Sequence, residues 1–116
     1  MEKVTGIGGV FLRARNPEAL AAWYKTHLGM ETGMSIWQQA AGPTVFSPFR
    51  QDSTYFPERQ QVMLNFRVAD MAAMIAQLRA AGIEVQTNPD WDEPEIGLFA
   101  RIHDPEGNAI ELWQPA

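Results

Sequence analysis

The stretch Asn16-Pro17-Glu18-Ala19-Leu20-Ala21-Ala22-Trp23-Tyr24-Lys25-Thr26-His27-Leu28-Gly29 reads as one complete helix with both ends marked. Asn16 offers a side-chain acceptor at the N-cap. Pro17 suits the first helical position, where a missing N–H has no intrahelical partner to lose. Leu20, Trp23, Tyr24, His27 and Leu28 recur at the spacing of one helical face. Gly29 can take the left-handed conformation that ends a helix. The pattern then returns. Asp70 is a second N-cap, Met71, Met74, Ile75 and Leu78 form a second apolar stripe, and Gly82 is a second stop. Asn16 and Asp70 lie 54 residues apart, and Gly29 and Gly82 lie 53 apart, so the chain contains one unit twice.

Working outward, each helix is flanked by strand-like segments. Residues 7–14 and 62–68 precede the two helices, and Met30 onward and residues 83–86 follow them. Each copy then ends in a hairpin. The second is the clearer: residues 98–103, the turn Asp104-Pro105-Glu106-Gly107-Asn108, and residues 109–113. The first runs through residues 35–38, a turn at Ala40-Ala41-Gly42-Pro43, and residues 44–47. Gly42 and Gly107 are 65 apart, because the second copy carries a longer loop over residues 88–95. The expected fold is α+β: two tandem βαβββ modules, residues 1–50 and 61–116, joined by a linker at 51–60. Neither module buries its sheet face alone, so the two are expected to form a curved mixed-sheet cleft.

Composition narrows the chemistry. At 116 residues the chain has the length of one domain. It has no cysteine, which excludes disulfides and thiol nucleophiles. Nine basic against fourteen acidic residues give a net charge of −5, which speaks against nucleic acid as a partner. No apolar run approaches a membrane span, and the first residues lack a basic, apolar leader, so a cytoplasmic location is expected. Gly6-Ile7-Gly8-Gly9 precedes a strand rather than a helix and does not fit a phosphate-binding loop.

The segment from Gly9 to Met30 resembles the first module of the vicinal oxygen chelate superfamily, the glyoxalase, bleomycin-resistance and extradiol-dioxygenase group. Phe66-Arg67-Val68-Ala69-Asp70 and Leu78-Arg79-Ala80-Ala81-Gly82 resemble its second module. Asp104 to Leu112 is the most specific piece. The resemblance spans nearly the whole chain and implies paired βαβββ modules, commonly assembled as a homodimer. It also implies a divalent metal held by one His, Gln or Glu from each of four strands. Carried over residue by residue, those positions are Gly9, Phe46, Met63 and Glu111. Only Glu111 offers a donor to a hard cation; a thioether favours soft metals. No metal or other cofactor is therefore expected. A relocated site through His103 and Glu111 would have too few ligands.

Strand alternation places Phe11, Arg13, Phe46, Met63, Asn65, Arg67, Glu111 and Trp113 on the cleft face, with Arg101 opposite Glu111 in the hairpin. Arg13 lies four residues after Gly9, where glyoxalase I enzymes carry an arginine that binds a substrate carboxylate; it would equally pair with a nearby acid. Glu111 would act as a general base, or be held by Arg101 as a cross-strand ion pair. The aromatic residues Trp37, Phe49, Tyr55, Phe56 and Trp91 on loops suit flat ligands, lid packing or a dimer contact. The expected function is metal-free binding of a small organic molecule in the inter-module cleft. The alternatives are a lactoylglutathione-lyase-like lyase or isomerase using Glu111, and a dimer with a filled cleft.

Overall fold

The computed structural model describes residues 1–116. Helix α1 spans Pro17–Leu28 and helix α2 spans Met71–Ala80; strands β1, β2 and β3 span Leu64–Arg67, Gly97–His103 and Ala109–Pro115. A 3-10 turn covers Pro89–Trp91. No helix is long and apolar enough to cross a membrane.

Both helices have the ends their sequences mark. The Asn16 side chain accepts from the Ala19 N–H at 3.1 Å, and Asp70 accepts from the Ala73 N–H at 3.0 Å. Each bond satisfies one of the orphan donors at a helix start. Gly29 closes α1 at φ 68°. In α2 the Gly82 N–H donates to Arg79 and the Ile83 N–H to Leu78, the paired bonds of a Schellman stop.

The sheet order is β1-β3-β2, with β1 parallel and β2 antiparallel to the central β3. One face packs on the helices: Ala100, Ile102, Ile110 and Leu112 join Leu20, Tyr24, Met71, Leu78 and Val85 in one core. The opposite face carries Asn65, Arg101, Glu111 and Trp113, as alternation requires.

The turn between β2 and β3 fastens α1 to this sheet. Asp104 is buried, and its carboxylate accepts from the Tyr24 hydroxyl at 2.7 Å, from the Glu106 and Asn108 N–H groups, and from the Asn108 amide. Glu106 accepts from the Arg15 and Asn16 N–H groups and the Arg15 guanidinium. The Arg15 N–H bond, the largest influence, helps hold the Glu106 carboxyl below its ordinary pKa of 4.5. Arg59 donates to the Gly107 carbonyl at 2.7 Å, and Gln60 both donates to and accepts from the Ala109 backbone. The linker and the first helix thus converge on one turn.

The strands expected over 7–14, 35–38 and 44–47 are not formed; no ladder precedes Leu64. Composition supplies a reason. Gly8 and Gly9 weaken the first segment, and Pro43 and Pro48 remove donors on either side of the last. Apolar alternation marks which residues want burial, but a strand also needs a hydrogen-bonding neighbour. Residues 83–86 make a single bridge, Gln86 to Arg101.

Gly97 begins β2 at φ 132°, and a Cβ there would run into the Gln114 carbonyl. Gly97→Ala is expected to cost about 2 kcal/mol, read as a lower midpoint in urea unfolding with an unchanged slope.

Candidate functional site

Glu111 stands in the middle of β3, on the face turned away from the helices. The strand register puts Asn65 beside it on one side and Arg101 on the other. Asn65 donates its amide to Glu111 Oε1 at 2.7 Å. The second oxygen, Oε2, accepts from the hydroxyl of Tyr55, which arrives from the linker. Ser53 Oγ accepts from the Tyr55 N–H at 3.2 Å and steadies that turn. Phe49, at the end of the first half, lies 5.7 Å from the Tyr55 ring and 5.5 Å from Phe56, centroid to centroid, so it forms a cluster of three aromatic rings with the linker.

Arg101 does not make the expected ion pair with Glu111. The chain's ion pairs are Arg15–Glu106 and Arg50–Asp52. The Arg101 guanidinium instead lies 4.8 Å from the centroid of the Tyr55 ring, in cation–π geometry. Its Nη2 donates to the Met63 sulfur at 3.7 Å, and its Nε is buried with no hydrogen-bond partner. Glu111 is held by two neutral donors instead, and the face of the Tyr55 ring takes the cation.

The structure brings together Met63, Asn65, Arg101 and Glu111. Arg67, further along β1, turns to donate to the Ala40 carbonyl at 3.0 Å. Trp113 is buried; its indole N–H donates to the Ile96 carbonyl at 2.9 Å and its ring stacks on Phe99. Those contacts give Trp113 a packing role within the chain. Phe11 and Phe46 are 93% and 87% exposed, and Arg13 is exposed with no ionic or hydrogen-bonding partner. No hydrogen bond or ion pair joins these three to Glu111, and the first-half strands that would carry them are not paired. Periodicity says nothing of where Tyr55 points, since it lies in a linker. Its one signal is a phenol within an aromatic run.

The four positions that would hold the superfamily's metal do not fit one. Glu111 is the sole hard donor and both its oxygens are engaged. The fixed positive charge of Arg101 lies against Met63, where a second ligand would be needed, and would repel a dication. His103 is exposed at the hairpin end, opposite Ala109, and no three His, Asp or Glu side chains cluster as a metal site.

Burial, reinforced by the hydrogen bond to Glu111, pushes the Tyr55 hydroxyl up to about 12. Burial beside Asp104 pushes Tyr24 up further still. A phenol raised in the folded state stabilises fully below the unfolded value near 10, and that contribution fades as pH rises through the folded value. Neither of the two tyrosines is therefore expected to ionise near pH 10 in the native protein. An ultraviolet tyrosinate titration should show a single late rise coinciding with unfolding. Tyr55→Phe should leave that rise in place at half the amplitude.

The chain belongs to the glyoxalase-like domain family, whose model matches residues 9–113. That is the vicinal oxygen chelate group that the sequence resembles. Among solved structures, it is similar to TnmS3, an antibiotic-binding protein from Streptomyces sp. CB03234, with 22% identity, full coverage of both chains and a TM-score of 0.64. It is also similar to the protein VPC_CASS1 from the mobile metagenome of V. Pseudocholerae, with 16% identity over 100% of this chain and 98% of the other and a TM-score of 0.66. A lactoylglutathione lyase from Agrobacterium tumefaciens matches at 17% identity, with 97% and 96% coverage and a TM-score of 0.64. At these identities the likeness is one of fold. No curated protein matches the chain.

Proposed function

We propose that this protein binds a small organic molecule on the Glu111 face of its sheet, without a divalent metal, as a homodimer. One observation carries the reading: the surviving carboxylate of the family's metal set is committed to Tyr55 and Asn65, with Arg101 beside it. Such a constellation of polar anchors against aromatic rings is the usual make-up of a ligand site. The fold shared with an antibiotic-binding protein supports the same class of role.

Surface area supports the dimer. The chain exposes 8946 Å². A compact monomer of 13.0 kDa would expose roughly 6,300 Å². The excess is ample for a stable homodimer, which buries about 2,000–5,000 Å² in total. The residues to be covered include Val10, Phe11, Val45 and Phe46, all exposed within one chain. On this reading residues 1–50 and 61–116 act as two modules, and Phe11, Arg13 and Phe46 reach a ligand only once the first-half strands have partners.

Four measurements test the proposal. Protein purified without chelators should carry less than about one divalent ion per ten chains, and Glu111→Gln should leave that figure unchanged. A thermal-shift screen of small organic compounds should yield stabilising ligands, lost or weakened in Tyr55→Phe. Light scattering should give the mass of two chains. A tightly held stoichiometric metal that leaves with Glu111→Gln, or brisk turnover of the lactoylglutathione precursor, would overturn the metal-free binding role in favour of a lyase.

A further inference from the structure

The edge of a guanidinium formed by Nε and Nη2 presents two parallel N–H donors, which match the two oxygens of a carboxylate. In Arg101 that edge has no carboxylate on it: Nε is buried without a hydrogen-bond partner, and Nη2 donates to the soft sulfur of Met63 at 3.7 Å, with the Tyr55 hydroxyl close enough to feel the guanidinium. A buried N–H left unpaired is destabilising. The site therefore gains on receiving an anion where a thioether now rests. Glu111, opposite Arg101 in the strand register, accepts from Tyr55 and Asn65 and forms no ion pair with Arg101. The other side of the guanidinium is closed by the Tyr55 ring, which adjoins Phe49 and Phe56. Phe49 is 48% exposed, so the aromatic cluster has a face free to stack.

We infer that Arg101 is the anion anchor of the site and that the ligand class is a planar aromatic carboxylate, its acid on the Nε–Nη2 edge and its ring against Phe49 and Tyr55. The inference rests on the binding role proposed above and adds the chemistry of what is bound. Met63, unbranched and flexible, is the side chain that gives way. Glu111 keeps its negative charge beside the incoming acid; Tyr55 and Asn65 solvate it, and Arg101 supplies the charge that balances the ligand's carboxylate.

The test uses 2-naphthoate and its neutral isostere 2-naphthamide, with affinity measured by calorimetry on the full chain. The acid should bind at least about tenfold more tightly than the amide, and the preference should shrink as salt rises. Arg101→Met should abolish the preference while the amide still binds. Arg101→Lys keeps the charge and loses the fork, so it should retain only part of the preference; it also serves if Arg101→Met fails to fold. Equal binding of acid and amide, or an undiminished preference in the Arg101 variants, overturns the anchor and leaves the binding role standing. Binding of neither probe overturns the anchor. If the broader thermal-shift screen is also blank, the binding role falls with it.

Discussion

Asp104→Ala should cost about 4 kcal/mol of folding stability, a large share of the total for a domain of this size. The carboxylate is 4% exposed and collects four hydrogen bonds. Removing it strands the Tyr24 hydroxyl inside the core and frees two backbone donors in the turn. Buried groups that lose a charged partner bear the whole desolvation penalty. Asp104→Asn separates the contributions. One amide oxygen can still take the two backbone N–H groups, but its NH2 then faces the Asn108 amide, donor against donor. An intermediate loss is expected. Tyr24→Phe should cost about 1–2 kcal/mol, and combining it with Asp104→Ala should cost less than the two losses added, because the same bond would be counted twice. Urea unfolding monitored by far-ultraviolet circular dichroism reads all four proteins. A loss under about 1 kcal/mol for Asp104→Ala would mean that the turn holds its shape without the carboxylate.

Leu112→Ala should cost about 3 kcal/mol. Leu112 is fully buried on the central strand, paired with Phe66 on one side and Ala100 on the other, beneath both helices. The truncated side chain leaves a void that neighbours on two strands and two helices cannot all move to fill. Leu112→Ile, which keeps the volume, should cost less than about 1.5 kcal/mol. Phe46→Ala provides the contrast. Phe46 is 87% exposed within the chain, so its loss should leave monomer stability almost unchanged and weaken association of the proposed dimer instead. Unfolding measured at several protein concentrations separates these effects, since only a dimer's midpoint moves with concentration.

Particular residues show what the sequence makes legible. Asn16, Pro17, Gly29, Asp70 and Gly82 mark helix ends through local chemistry, and the structure has the ends there. The last hairpin is equally local, since an Asp-Pro-Glu-Gly-Asn turn fixes its own register, and that register sets Arg101 opposite Glu111. Parity then gives the shared face of Asn65 and Glu111. Contacts made across long stretches of chain are not legible in this way. Nothing periodic tells that Tyr55 bends back to Glu111, or that Arg101 prefers its ring to the carboxylate. The first-half strands fail for a related reason. Val10, Phe11, Val45 and Phe46 alternate and are apolar, but a pattern cannot name the edge to which a strand will bond.

The clasp at Asp104 to Asn108 also orders events in time. Helix α1 is complete once residue 29 has been made, yet its anchors lie 80 residues beyond Tyr24 and 91 beyond Arg15. At about 5–20 residues per second, synthesis leaves that helix without this clasp for roughly 4–16 seconds. Over that interval its apolar stripe has only the partners already made, Phe66, Met71 and Leu78 among them, and closing so long a loop is slow even after release. A chain cut short before residue 104 would keep the partners of the first helix in α2 and Phe66 and lose the clasp that fixes its start.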